Sequence, residues 1–533
     1  MMRRGLNFVA GRSSFRGLTS YAEKRAAKAS DLTEFAEMRQ AALFSEQLAA
    51  GACPPQASPS RIPLESVASR AEVRAALQAG MATFALHAEA RVASALGEGF
   101  YTIGPCGEEL LAAVGLVLRP DDAVALHYRH LATQIARHAR PLVAGGHGAG
   151  TADPLARTGE LAGLFLDRAR GYTVSAADPV TGGAHCALGG GSHDFLVTST
   201  LASQATPAVG RALAPGIMRQ LGLKESCLLP PQGLSYCSLG DGSVNNAHFL
   251  SAANTAAYAA HRGFKCPVLF GISDNGLCIS LSGHGWLQPF LDKVGLPVFR
   301  ADGSDLASVF RATREAAAVV RRGKPGVVVF ENMPRRFGHA ATDRQSAYST
   351  PAAVAAREAC NPLGFACAAA VSEGLATWSE LAGCWAEAQA LALAAFERAA
   401  LEPKLETLGV AGIVARNHAT LPPHLGLSAG SSAGSQAAPS SSAASSQTVA
   451  GLERSALPSL AALRRDAEAV GGGGGKGDAA EGGVERRNVM RKHMTSCIEE
   501  SLRERPNMVR GARQAQRGAA RKEALRRLGR APP

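Results

Sequence analysis

The sequence of 533 residues predicts an α/β fold: a doubly wound parallel sheet covered by helices. Two observations predict it. Across residues 234–331, short apolar runs ending in glycine or polar residues alternate with stretches whose apolar positions recur three and four apart, which is how βαβ units are written. In addition, 46% of the residues are hydrophobic and only 5% aromatic, enough apolar surface for a large, mainly aliphatic core.

Taken in order, residues 1–30 have the composition of an organelle transit peptide. Glu23 is the first acidic residue, and Arg3, Arg4, Arg12 and Arg16 precede it among Ser, Thr, Phe and Leu, without the apolar block of a secretory signal. The mitochondrial matrix is the favoured compartment and a plastid the less favoured one. Ordered structure is expected to begin near Leu32, with helical spacing over 32–48, a loop over 51–63, a helix over 66–96, and a second over 108–118 stopped by Arg119-Pro120. Strands are expected at 234–239, 267–273 and 327–330, with a helix over 247–261 between the first two. The folded domain is expected to span 31–422. A Ser, Ala and Gly-rich linker follows over 423–483, including the unbroken glycine run 471–475. An amphipathic piece over 484–504 then opens a separate fragment, 484–509, and a basic tail covers 510–533 with eight Arg or Lys residues against Glu523 alone. Disordered extensions are therefore expected at both ends.

The formal charge of +12 collects largely at these ends, which argues against a nucleic-acid-binding surface on the domain. No run of about 18 uninterrupted apolar residues offers a membrane span. Eleven cysteines, an odd number without a CxxC pair, point to reduced thiols rather than a disulfide framework.

The chemistry lies at two strand ends. The run 234–239 closes in Gly240-Asp241-Gly242-Ser243, and the run 267–273 closes in Asp274-Asn275-Gly276-Leu277. A right-handed crossover makes the two strands parallel, so Asp241 and Asn275 emerge at the same carboxyl edge, where open α/β sheets bind ligands. A carboxylate and an amide oxygen facing one gap suit Mg²⁺ that also takes phosphate oxygens, and a diphosphate cofactor fits. Either segment alone would be read as an ordinary turn.

Together the two segments resemble the thiamine-diphosphate motif, and the chain is similar to the α subunits of thiamine-diphosphate-dependent 2-oxo acid dehydrogenases. The motif usually closes in Asn-Asn; here it closes in Asp274-Asn275, after a gap several residues longer than usual. The resemblance implies the thiamine-diphosphate-binding fold. It also implies that Asp241, the Asn275 side chain and the Leu277 carbonyl hold Mg²⁺ while Gly242 and Ser243 lie along the diphosphate. Ser273 stands where relatives often place an arginine on the diphosphate. Residues 103–118 followed by 126–131 (LHYRHL) resemble the segment whose Tyr-Arg pair meets the cofactor, here Tyr128 and Arg129. Gly182-Gly183 and residues 198–210 resemble the segment under the aminopyrimidine. There Ser199 and Leu201 carry over as cofactor contacts, and Thr198, Ser203 and Gln204 are candidate ligands of K⁺. Residues 331–348 resemble a loop whose Gly-His pair meets the cofactor, so His339 carries over as cofactor-binding and catalytic, with Thr342 and Asp343 after it. Ala340 replaces a serine that is phosphorylated in several relatives, which excludes kinase control at that position.

The resemblance covers residues 32–422 and is nearest to the branched-chain 2-oxoisovalerate type, including fused α-β chains. It implies oxidative decarboxylation of a small-molecule 2-oxo acid and acyl transfer to a lipoyl group. The implied partners are a β subunit or region and a lipoyl-bearing acyltransferase core. A pyruvate or acetoin dehydrogenase α subunit, or an inactive assembly subunit, is the alternative. Residues 488–509 resemble the opening of a β region, and the abrupt change to basic sequence leads to the expectation of a fused α-β chain cut off after Val509, inactive alone.

Overall fold

The computed structural model describes residues 20–405, except 60, 100–102, 106, 144–152, 180–187, 190–192, 196, 198–199, 224, 226, 228, 284 and 341–342. The linker, the β-like fragment and the basic tail expected from the sequence lie outside the described residues, as do residues 1–19.

Five parallel strands form the central sheet: β1 (Ala123–Ala125), β2 (Ser235–Gly240), β3 (Val268–Ser273), β6 (Val298–Asp302) and β7 (Gly326–Glu331), in the order β1-β2-β3-β7-β6. A two-stranded antiparallel ribbon, β4 (Leu277–Cys278) and β5 (Leu281–Ser282), follows β3. The register of β2 against β3 runs from Ser235↔Val268 to Gly240↔Ser273, so the two strands end level. This is the arrangement that the sequence predicts for Asp241 and Asn275.

The apolar runs are continuous because both faces of the sheet are covered. Tyr236, Leu269, Val328 and Phe330 join the larger core, which includes helices Arg70–Ala95, Leu306–Val320 and Trp378–Ala400. Their alternating neighbours Cys237, Leu239, Phe270, Ile272, Val327 and Val329 join a second core with helices Ala205–Gln220, Ala247–His261 and Leu287–Val294. The edge of β1 is closed by residues 193–195: Val124 N–H donates to the His193 carbonyl and Phe195 N–H to the Val124 carbonyl, both at 2.8 Å. At the other edge β6 is short and half-buried, and it carries Arg300, paired with Glu331, and Asp302. Among the described residues no helix is long and apolar enough to cross a membrane, and all eight described cysteines are free.

Ordered structure begins earlier than the sequence suggests. Ser20 and Glu23 form a capping box that starts helix Tyr21–Ala27. Tyr21 is buried and donates its hydroxyl to Glu89 at 2.7 Å, and Arg25 bonds the same carboxylate at 3.2 Å. These partners lie on helix Arg70–Ala95, too distant in sequence to be read from local pattern.

Candidate active site

The site gathers at the carboxyl edge of β1, β2 and β3. After β2 the chain turns through a single 3₁₀ segment, Asp241–Asn245, and Asn246 then caps helix Ala247–His261 by accepting from His248 N–H at 2.9 Å. Asp241 and Ser243 are buried and Gly242 half-buried. A Cβ on Gly242 would lie 3.0 Å from Cys278 Sγ, so glycine lets the ribbon approach this turn closely.

Asp241 is 6% exposed and its Oδ2 has no hydrogen-bond partner. Burial first, then the neighbouring Asp274 carboxylate, raises its pKa from an ordinary 3.8 to about 7. A buried carboxylate oxygen without a donor, crowded by a second carboxylate, is a place where a divalent cation removes a cost. Asn275 Oδ1 accepts from Leu277 N–H at 3.0 Å and Asp274 Oδ1 from Gly276 N–H at 3.1 Å, so two successive side chains fix the turn that presents the Leu277 carbonyl. No cluster of three His, Cys, Asp or Glu ligands exists among the described residues. A cation here would complete its shell with phosphate or water oxygens, as Mg²⁺ commonly does. The residues present therefore fit a magnesium diphosphate.

Tyr128 and Arg129 follow β1. The Tyr128 ring is half-buried and meets the His339 ring edge-on, with centroids 6.5 Å apart. Arg129 is buried and donates to the Gly104 carbonyl, to His339 Nδ1 at 2.9 Å and to the His339 carbonyl at 3.1 Å. The resemblance implies that Tyr128 and Arg129 meet the cofactor; in the structure the Arg129 guanidinium grips the His339 loop. The same loop is fixed by Asp343, which accepts from His339 N–H at 2.6 Å and from the Tyr348 hydroxyl at 2.5 Å. Arg335 donates to that hydroxyl at 2.5 Å and to the Ile279 carbonyl at 2.6 Å, joining the His339 loop to the ribbon beside Leu277. Ile279 has φ +59°, a strained value for a β-branched residue. Because Nδ1 accepts from Arg129, the ring proton of His339 sits on Nε2. Burial, then Arg129 and Arg335, lowers the His339 pKa to about 4, so it is a neutral N–H donor at neutral pH.

Of the remaining expected contacts, Ser199 and Thr198 lie outside the described residues, as do Thr342 and Gly182-Gly183. Leu201 is exposed on the turn before helix Ala205–Gln220. Ser203 is half-buried, and Gln204 donates to the Ser238 carbonyl at 2.9 Å while its own Oε1 lacks a partner. Two further residues that the sequence alone does not single out, Glu108 and His130, join Ser273 at the site. Ser273 Oγ–H donates to Glu108 at 3.1 Å, and His130 Nε2 lies 2.9 Å from Ser273 Oγ and 3.1 Å from Glu108, all three buried. The only trace of them in sequence is a pair of histidines flanking Tyr-Arg and a pair of glutamates in an otherwise apolar helix start.

Residues 197–407 match the model of the dehydrogenase E1 component family, a span that includes Asp241, Asn275 and His339 and begins after Tyr128 and Arg129. The chain is similar to the 2-oxoisovalerate dehydrogenase α subunit of Caenorhabditis elegans, a mitochondrial protein, at 32% identity over 158 residues, 28% of this chain and 33% of that one. It is similar to the pyruvate dehydrogenase E1 α subunit of Porphyra purpurea at 28% identity over 157 residues, 28% of this chain and 43% of that one. To the 2-oxoisovalerate dehydrogenase α subunit of Bacillus subtilis it is 28% identical over 183 residues, 33% of this chain and 51% of that one. The matched stretches thus span between a third and a half of these relatives. Residues 197–407 thus carry a dehydrogenase E1 component domain, and with its parallel sheet and the site at the sheet's carboxyl edge the chain is similar to the E1 α subunits of 2-oxo acid dehydrogenases.

Proposed function

We propose that this chain is the α half of a dehydrogenase that oxidatively decarboxylates a 2-oxo acid, branched-chain type favoured, and passes the acyl group to a lipoyl group. The observation that carries the proposal is the convergence of Asp241, Asn275 and the Arg129-held His339 on one sheet edge. Thiamine diphosphate, when bound, supplies the nucleophilic carbon and the electron sink for decarboxylation. Asp241, Asn275 and the Leu277 carbonyl would hold Mg²⁺; Gly242 and Ser243 would flank the diphosphate, with Tyr128, Ser199 and Leu201 as further contacts. His339, neutral and with its proton on Nε2, donates a hydrogen bond to oxygen or sulfur during acyl transfer. Gln204 Oε1, buried and unpartnered, supports a K⁺ site in the turn before its helix. The β subunit or region, the acyltransferase core and the mitochondrial matrix complete the reading. The test is reconstitution of the full chain with a β subunit and a panel of 2-oxo acids, read with an artificial electron acceptor. Turnover on branched-chain 2-oxo acids is expected. No turnover on any 2-oxo acid, with thiamine diphosphate bound, would leave the inactive assembly subunit.

One observation favours that second reading. Ser273 is tied to Glu108 and His130, and Arg129 to His339, so neither position offers the diphosphate a free cation.

A further inference from the structure

Cys278 stands where the ribbon meets the cation site. It is the second residue of β4, it pairs with Leu281 of β5, and the Gly283 N–H closes the ribbon on the Gly276 carbonyl at 2.9 Å. This path of the backbone lays the thiol against the turn that follows β2: a Cβ built on Gly242 would lie 3.0 Å from Cys278 Sγ. A Cβ built on Gly283 would lie 3.1 Å from Asp241 Oδ2 and 3.3 Å from Cys278 Sγ. The carboxylate oxygen and the sulfur thus border one point, and the absence of a side chain at 283 leaves that point open.

Asp241 is 6% exposed and its Oδ2 accepts no hydrogen bond, so this oxygen calls for a donor or a cation. Cys278 is a free, half-buried thiol. Burial, then the carboxylates of Asp241 and Asp274, push it above its usual range. The uncombined thiol is therefore protonated and a poor nucleophile, which disfavours oxidation or alkylation as its role. A metal ion displaces that proton outright. Magnesium takes oxygen ligands, whereas zinc takes sulfur and carboxylate oxygen together. Two side chains rather than three, with the Leu277 carbonyl and water for the rest, make an exchangeable site rather than a structural one. Because Sγ lies against Gly242, a cation drawn to the sulfur occupies the turn along which the diphosphate would lie.

Resting on the cation site of the proposed function, we propose that Cys278 makes it a zinc site as well. Zn²⁺ binds between Cys278 Sγ and Asp241 Oδ2, the thiol proton goes to solvent, and the magnesium diphosphate is excluded. The test uses the full chain freed of metal by chelation and titrated with Zn²⁺ against a chromophoric chelator, with Co²⁺ as the spectroscopic substitute, for the wild type, C278S and D241N. The wild type should take up one equivalent of Zn²⁺ that Mg²⁺ with thiamine diphosphate blocks, and its Co²⁺ form should show a sulfur-to-cobalt charge-transfer band. C278S should lose the band and bind that equivalent at least about tenfold more weakly, yet bind thiamine diphosphate with Mg²⁺ within about threefold of the wild type. D241N should lose both the zinc and the magnesium-dependent cofactor binding. In the wild type itself, Zn²⁺ should shield Cys278 from iodoacetamide, read by peptide mass, which keeps the test open if C278S fails to fold. Equal zinc uptake by the wild type and either variant, or an unshielded Cys278, would overturn the inference while leaving the proposed function standing. Zinc bound in this way by a chain that takes no thiamine diphosphate would keep the inference and overturn the proposed function. A wild type that binds neither would overturn both.

Discussion

Asp241→Asn should make the free protein more stable while removing its response to magnesium and cofactor. The Asp241 carboxyl has an ordinary pKa of 3.8 and a folded-state value of about 7, set by burial and then by Asp274. The folded state holds this proton more tightly than the unfolded state. Its contribution is therefore fully present below pH 3.8 and is lost as pH rises toward 7. At about 1.4 kcal/mol per tenfold displacement of a proton equilibrium, ionisation costs the fold at most about 4 kcal/mol at neutral pH. An amide of the same shape carries no charge. Asp241→Asn should thus gain about 2–4 kcal/mol at pH 7 and little at pH 4. The assay is calorimetric or denaturant unfolding between pH 4 and 8, with and without Mg²⁺ plus thiamine diphosphate. The wild type should be stabilised by the ligands and the variant should not. A variant no more stable than the wild type at pH 7, or stabilised equally by the ligands, would refute the reasoning.

Three other outcomes are expected. His339→Ala, assayed with a β subunit, should lose acyl transfer to lipoate by more than it loses decarboxylation read with an artificial acceptor; equal losses would assign His339 a structural role. Gly107→Ala should destabilise by about 3 kcal/mol or more, because φ is +106° and the new Cβ would lie 1.6 Å from the Pro334 carbonyl oxygen; an unchanged melting temperature would contradict this. In the Asp241→Asn background, unfolding free energy should fall as pH drops from 6.5 to 5. Burial, then Arg129, lowers the His87 pKa to about 3, so the unfolded chain takes up a proton there that the folded chain refuses, about 2 kcal/mol over that interval, and His127 and His339 act in the same direction. Equal or greater stability at pH 5 by urea titration would count against it.

Strands β2, β3 and β7 and the placing of Asp241 and Asn275 at strand ends were legible because they rest on local patterns joined by a chirality rule, two apolar runs with a helix between them and a right-handed crossover, whereas the short β1 and β6 carried no such signal. The helix over 247–261 was read to the residue for the same reason, having Asn246 as its cap. What stayed hidden involves partners brought together only by the tertiary fold. Arg129 was readable as a cation near a phosphate site, but its bond to His339 joins residues 210 apart. Ser273 could be read as a missing arginine, and only the fold shows its hydroxyl already committed to Glu108, 165 residues away. The N-terminal helix was hidden by composition: Arg25 and Lys24 look like targeting sequence until Glu89 and Glu98 are found beside them.

A parallel sheet has two rims, and here they are finished differently. The β1 rim is spent on residues 193–195, while β6 ends the sheet with five residues that include Arg300 and Asp302. Another strand laid along that rim would have to cover these charges, and Arg300 is already paired with Glu331. Short, charged rims of this kind discourage strand addition, so a neighbouring copy gains little by extending the sheet there. The open end of the sheet thus guards against aggregation at the same time as its carboxyl edge stays available for ligand.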